Sequence, residues 1–151
     1  MTRWKKYSFS ALAMTVSLSG GAYGWMKYLL TTDDPFAVVN HPLQPLMLHL
    51  HVASAPAFLV LFGILLDSHV AERIGRDLPN RGSGLLSFGT ILVMSVSGYA
   101  LQIVTGDRAR QVWVAAHLGS GLLFAVAYSV HLFVSVWMWL TSPPPQRTSI
   151  T

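Results

Sequence analysis

Histidine is the residue type whose positions in this sequence point most directly to chemistry. The sequence contains six histidines. His41 lies in a proline-containing connection, and the other five lie in two long apolar segments: His49, His51, His69, His117 and His131. An ionisable residue is costly within an apolar segment, and imidazole is the commonest metal ligand among side chains. The placement therefore favours a metal or a metal-containing cofactor, with hydrogen bonding inside a helix bundle as the structural alternative.

The spacing of these histidines places them in two pairs if both segments are helical. An α-helix turns about 100° per residue, so His117 and His131, fourteen residues apart, lie within about 40° of one face. His51 and His69, eighteen residues apart, return to the same face after about 1800°, whereas His49 lies about 200° from His69. We expect His51 to meet His117 at one level of a bundle and His69 to meet His131 at another.

The residues between the paired histidines follow the same order in both segments. Each first histidine is followed on its own face by a small residue and then by two aromatic residues: Ala55, Phe58 and Phe62 in one segment, and Gly121, Phe124 and Tyr128 in the other. A small residue one turn from a ligand leaves room for a flat macrocycle, and aromatic rings fill the space between two such cofactors. We predict these six residues as cofactor-binding positions, with ordinary core packing as the alternative for the aromatic residues.

The kind and number of ligands favour haem over zinc. Each pair offers two imidazoles, whereas a closed zinc site needs four ligands, and Asp67 lies about 200° from His69. Haem iron takes one or two axial ligands, and the absence of cysteine excludes covalent c-type haem, iron–sulfur clusters and disulfides. Two axial histidines leave no open position for a substrate, so such a haem carries electrons. We predict two b-type haems with the metal ligands His51, His69, His117 and His131.

The lengths of the two histidine spacings leave two alternatives open. At about 1.5 Å per residue, His117 and His131 are about 21 Å apart along a helix, and His51 and His69 about 27 Å. The mismatch must be absorbed by tilt, by a kink near Pro56 or by irregular structure near His69. A single haem on His51 and His117 is one alternative, and His49 in place of His51 is the other.

Composition and charge pattern predict that the elements carrying these histidines span a membrane. Only 11% of the residues are charged, against about 25% in a soluble domain. Four stretches carry no charge, and each can hold the roughly 20 residues of a spanning helix: Tyr7–Met26, Pro35–Leu66, Gly82–Gly106 and Gln111–Gln146. We predict an all-α, four-helix transmembrane bundle in one domain, residues 1–140, with helices over about 7–30, 46–70, 84–104 and 111–140. The proline-rich tail, 141–151, is expected to be disordered.

The basic residues predict the orientation of this bundle. Seven fall on one side of the four helices: Arg3, Lys5, Lys6, Arg73, Arg76, Arg81 and Arg147. Only Lys27, Arg108 and Arg110 fall on the other. Both termini are therefore expected in the cytoplasm of a bacterium, with the chain in its inner membrane and no nucleic acid as partner. The first segment has the order of a signal peptide, and we expect it to be retained as a membrane anchor.

Two of these arginines are also candidate cofactor contacts. Arg73 follows His69 by one turn and Arg110 precedes His117 by two turns, each on the face of its histidine. A guanidinium there would bind a haem propionate. The equally plausible alternative is an ordinary arginine at the membrane interface.

The last apolar segment, "WVAAHLGSGLLFAVAYSVHLF", resembles the last helix of the four-helix cytochrome b subunits of respiratory hydrogenases and formate dehydrogenases. In that family two histidines at the spacing of His117 and His131 ligate two different haems. Together with "LHLHVASAPAFLVLFGILLDSHV" and "SGYALQ", it is similar to compact bacterial cytochrome-b-like membrane proteins over about residues 46–140. The hydrogenase-type subunits take one ligand from their first helix, which has no histidine here, so the second helix must supply both partners.

These patterns predict a di-haem cytochrome that moves electrons between a periplasmic or exterior partner and the cytoplasmic side or the quinone pool, as a subunit of a larger redox complex. One alternative is a quinol or superoxide–quinone oxidoreductase, with Ser97, Tyr99 and Gln102 as candidate contacts to a quinone head group. The second alternative is a structural or assembly subunit without haem.

Overall fold

The structure, a computed structural model, describes residues 3–66 and 81–141, and within these ranges it is all-helical with no strand. It has four helices: α1, Arg3–Tyr28; α2, Gln44–Leu65; α3, Arg81–Ile103; and α4, Asp107–Thr141. The all-α prediction is thus confirmed for the described part of the chain. His69, Arg73 and the tail lie outside the described residues.

The fourth helix is longer at its start than the sequence predicted. The backbone amide of Arg110 donates to the carbonyl of Gly106 at 2.8 Å, so the helix begins directly after a three-residue connection. Asp107 lies in the first turn, where a negative charge is favourable next to the partial positive charge of a helix N-terminus. The charged "TGDRAR" segment, predicted as a loop, therefore belongs largely to α4.

Three of the four helices are long and apolar enough to cross a membrane, among the residues described: Gln44–Leu65, Gly82–Ile103 and Asp107–Thr141. α1 is not one of them, because serine, threonine and glycine recur along it and lower its apolarity. Large apolar side chains stay exposed on the other helices, as with Leu122 and Phe133 of α4. Lipid is the environment that suits such surfaces.

The helices form two hairpins side by side. α1 packs along α2, and α3 packs along α4, while α1 and α4 make the one close backbone approach between the hairpins. No Cα atom of α2 lies within 8 Å of a Cα atom of α4 over their described lengths. The two helices that carry the histidines are therefore held apart, and their side chains bridge the space between them.

Aromatic side chains fill the middle of this space. Phe9 of α1 stacks on Phe58 of α2 with ring centres 5.1 Å apart, and Phe58 meets Phe124 of α4 edge-on at 5.9 Å. Tyr128 stacks on Phe124 at 5.4 Å, and its hydroxyl lies 2.9 Å from the Ser10 hydroxyl. With Ala13 and Ile91, these rings form the hydrophobic core shared by both hairpins.

Candidate cofactor-binding site

The imidazoles of His51 and His117 meet across the space between the hairpins. Their ring centres are 6.0 Å apart, and the ring planes are inclined by 80°. Both rings are half-buried, whereas His49 is exposed on the far side of α2. The structure thus brings together the two histidines that the spacing paired, and it places His49 away from them.

The ring of His51 is fixed by the backbone of α1. Its Nδ1 lies 2.9 Å from the carbonyl oxygen of Val16. A carbonyl oxygen only accepts hydrogen bonds, so Nδ1 carries the proton and donates. The other ring nitrogen, Nε2, then has a free lone pair, which is the state required of a metal ligand.

The ring of His117 is fixed in the same tautomer by a side chain of α3. Its Nδ1 lies 3.0 Å from the hydroxyl oxygen of Ser97, which is fully buried. Ser97 donates its single hydroxyl hydrogen to the carbonyl of Val93 at 2.7 Å, so it accepts from His117. Nε2 of His117 therefore also keeps its lone pair, and neither ring can donate to the other through Nε2.

Two glycines allow these rings to lie directly against the neighbouring helices. A Cβ atom on Gly20 of α1 would lie 2.7 Å from both Cε1 and Nδ1 of His51. A Cβ atom on Gly98 of α3 would lie 3.1 Å from Cε1 of His117. The first distance is a clash and the second is a tight contact, so both positions favour glycine for the close approach it permits.

The second histidine of α4 lies near the other end of α3. Nδ1 of His131 is 3.4 Å from the Ser83 hydroxyl, and a Cβ atom on Gly84 would lie 3.5 Å from the same ring. The predicted partner, His69, and the predicted propionate contact, Arg73, fall outside the described residues. The His69–His131 pairing therefore stays a prediction.

The six residues predicted between the paired histidines lie in different surroundings. Phe58, Phe62 and Phe124 are buried in the aromatic core, with Tyr128 half-buried against them. Ala55 is half-buried on α2 between His51 and Phe58, while Gly121 faces α3, where its Cβ would lie 3.6 Å from Met94 Sδ.

The polar residues predicted near the His51–His117 end differ in how far they are buried. Arg110 lies within α4, as its assignment to the face of His117 required, and its side chain is exposed. Ser97 is fully buried, whereas Tyr99 is 66% exposed and Gln102 is exposed. Ser97 thus lies inside the bundle beside His117, while Tyr99 and Gln102 lie at its surface, and the quinone contact of these three residues stays a prediction.

The donor set suits a two-ligand cofactor. Within residues 3–66 and 81–141, no three histidine, aspartate or glutamate side chains cluster as a metal site. Two imidazoles that ligate one metal from opposite sides have ring centres about 6 Å apart, because each metal–nitrogen bond is about 2 Å and each nitrogen lies about 1 Å from its ring centre. The 6.0 Å between the ring centres of His51 and His117 agrees with this distance.

The residues that fix the rings were missed by the sequence reasoning, although the sequence carries a signal for them. The dipeptide Ser-Gly occurs four times, at 19–20, 83–84, 97–98 and 120–121, and the two copies in α3 are fourteen residues apart, which is the spacing of His117 and His131. The match is recognised when the spacing of the Ser-Gly pairs in α3 is compared with the spacing of the histidines in α4, its antiparallel neighbour.

Comparisons with known proteins returned no match: no protein-family model, no curated protein and no solved structure is significantly similar to this chain. The resemblance to cytochrome b subunits is therefore a prediction from the residues quoted for it.

Proposed function

We propose that this chain is a b-type membrane cytochrome that transfers electrons, with His51 and His117 as the axial ligands of one haem. The observation that carries the proposal is the meeting of these two imidazoles at 6.0 Å from helices whose backbones stay apart. Both rings use Nδ1 toward the neighbouring helix, which leaves a lone pair on each Nε2.

Hydrogen bonding inside the bundle is a weaker explanation of this pair. Two imidazoles that pack for structural reasons gain most when one donates to the other. Here the protons of both rings are directed to Val16 and Ser97, so the two nitrogens left over are both acceptors. A cation between them removes this conflict, and haem iron does so with two ligands.

Bound haem supplies a reversible one-electron couple at its iron. The protein residues hold and insulate it. Val16 and Ser97 keep the ligand rings in one tautomer and one rotation, and Gly20 and Gly98 admit them close to the backbone. The aromatic core around Phe58 lies on the side of the His51–His117 pair that faces away from the α1–α2 and α3–α4 connections, and it excludes water there.

We further propose a second haem between His131 and His69. His131 lies about 21 Å from His117 along α4, on the other side of the aromatic core. Stacked sites at these two levels would carry electrons across most of a bilayer, whose hydrocarbon layer is about 30 Å thick. The rings of Phe58, Phe124 and Tyr128 lie between the two levels.

The cellular setting of the proposal follows from charge. Basic residues favour a bacterial inner membrane with both termini in the cytoplasm, which places the His51–His117 pair toward the periplasm. α1 would then be the least apolar of four spanning helices, covered on one side by α2. Electron partners would be other subunits of a membrane complex on either side or the quinone pool.

The test is the visible spectrum of the full chain purified in detergent after expression with haem supply. We expect a Soret band and a sharp reduced α band, a haem-to-protein ratio of two, and extraction of the haem by acid acetone, as for a non-covalent group. A preparation with full haem supply but no Soret band would overturn the proposal and favour a structural subunit. A ratio of one would overturn the second site alone.

A further inference from the structure

We infer that α3 carries two copies of one positioning element, Ser97–Gly98 and Ser83–Gly84, which hold the two ligand histidines of α4. The inference rests on the proposed function and adds the residues that orient the ligands. It starts from two contacts of the same kind: Ser97 with His117 at 3.0 Å, and Ser83 with His131 at 3.4 Å.

The two contacts are related by the register of an antiparallel helix pair. Moving fourteen residues back along α3, from Ser97 to Ser83, corresponds to moving fourteen residues forward along α4, from His117 to His131. Both steps cover about 21 Å and bring each helix back to nearly the same face. One packing register therefore satisfies both contacts, and a shift of α3 against α4 would break both.

The glycine of each element lies under the ring that its serine holds. A Cβ atom at Gly98 would lie 3.1 Å from the ring of His117, and one at Gly84 would lie 3.5 Å from the ring of His131. Gly82 and Gly89, elsewhere on α3, have no atom of the described residues within 4 Å of such a Cβ position. The glycines of α3 that lie near a histidine ring, Gly84 and Gly98, are therefore those that directly follow a serine contacting the same ring.

The serine and the glycine have different tasks. Gly98 lets the imidazole edge of His117 lie tightly against α3, whereas the Cβ position of Gly84 is at ordinary van der Waals distance from the ring of His131. The Ser97 hydroxyl accepts from Nδ1 of His117, which fixes the tautomer and raises the basicity of the coordinating nitrogen, and we infer the same role for Ser83 toward His131. A more basic ligand stabilises the oxidised iron, so each serine is expected to lower the reduction potential of the haem that its histidine ligates.

A hydroxyl series at position 97 tests the serine in the full-length protein. Ser97→Ala removes the acceptor, and Ser97→Cys keeps a side chain of similar size with a weak one. We expect both to retain two haems per chain and to raise the midpoint potential of one haem, with Ala above Cys and Cys above wild type. The low-spin electron paramagnetic resonance signal of that haem should shift as well. Ser95→Ala is the control, because Ser95 bonds only the carbonyl of Ile91 on its own helix.

The second copy makes the test specific. Ser83→Ala should shift the potential of the other haem and leave unchanged the one that Ser97→Ala shifts. If both variants match Ser95→Ala in potential and resonance signal while wild type holds its haems, the positioning role is overturned and the proposed function stands. A wild-type chain that holds no haem at full supply overturns the proposed function itself.

Glycine substitutions test the inference through the haem content per chain, which does not depend on the midpoint potential. Gly98→Ala should lower the haem content by about half of one haem per chain, because the ring of His117 has to give way by a few tenths of an ångström. Gly89→Ala, on the same helix and in open space, should keep both haems. Equal haem content in these two variants would overturn the role of Gly98.

Discussion

The two hairpins present a histidine to the same site by different means. In α3–α4 the ring of His117 is held by a side-chain hydroxyl, that of Ser97, beside Gly98. In α1–α2 the ring of His51 is held by a backbone carbonyl, that of Val16, beside Gly20. The helix that carries the histidine is strongly apolar in both hairpins, and the helix that holds it supplies the polar atom.

The use of a backbone carbonyl in α1 depends on the glycine. The carbonyl of Val16 points along the helix toward residue 20, four positions later, as every helical carbonyl does. It has two lone pairs, and one remains for His51 when the helix bond is made. Because Gly20 has no side chain to cover this carbonyl, the imidazole reaches it at 2.9 Å.

This difference makes the two hairpins sensitive to different substitutions. The hydroxyl acceptor that α3 offers to His117 can be removed by changing Ser97, whereas the backbone acceptors, Val16 in α1 and Met94 in α3, cannot be removed by a side-chain change. The contact in α1 is also closer, 2.7 Å against 3.1 Å for the Cβ position. The α1–α2 hairpin should therefore depend most on its glycine, and the α3–α4 hairpin on its glycine and its serine together.

The largest expected effect is loss of a ligand. His51→Ala and His117→Ala should each reduce the haem-to-protein ratio by about one, since one imidazole from each hairpin is needed for a stable low-spin haem. The two variants should lose the same amount of haem, because each hairpin contributes one of the two imidazoles. His49→Ala, an exposed histidine two residues from His51, is the matched control and should leave the ratio unchanged. Loss of haem in His49→Ala with retention in His51→Ala would mean that the ring pair is misassigned.

The next largest effect is the loss of haem in glycine variants, which should differ between the two hairpins. Gly20→Ala should remove most of the haem held by His51, because its Cβ would occupy the position of the ring. Gly98→Ala should remove less. Gly21→Ala is the control on α1, since its Cβ would meet nothing within 4 Å. The measurement is pyridine haemochrome absorbance per protein at equal monodisperse yield, and a smaller loss in Gly20→Ala than in Gly98→Ala would reverse the comparison.

The sequence predicted four helices and the meeting of His51 with His117 for physical reasons that the structure makes plain. Helical periodicity and the absence of charge are properties of single segments, so four helices were predicted correctly with ends a few residues off. The pairing of His51 with His117 followed from topology: the second and fourth helices run in the same direction, so residues early in each lie at the same level. Each of these inferences needs only local geometry and one rule of topology.

The positioning residues were less accessible because they depend on contacts between helices. In α1, Gly20 lies against His51 whereas the adjacent Gly21 meets no described residue, and the only local difference between them is that Gly20 directly follows Ser19. Gly121 was assigned to the cofactor face by its spacing from His117, yet it lies against Met94 of α3. A residue at the edge of a helical face is directed to one neighbour or another by the packing angle, which the sequence does not determine.

The smallest effect concerns the polar link between the hairpins. The hydroxyls of Ser10 on α1 and Tyr128 on α4 lie 2.9 Å apart, at the edge of the aromatic core. Because such hydrogen bonds in membrane proteins contribute about 0.6 kcal/mol on average, Tyr128→Phe should lower stability slightly and keep both haems. A double-mutant cycle with Ser10→Ala, measured as the free energy of unfolding in mixed micelles, should give a coupling of that size. Zero coupling would leave the hairpins joined by the aromatic rings alone, whereas loss of haem in Tyr128→Phe would assign its hydroxyl to the site.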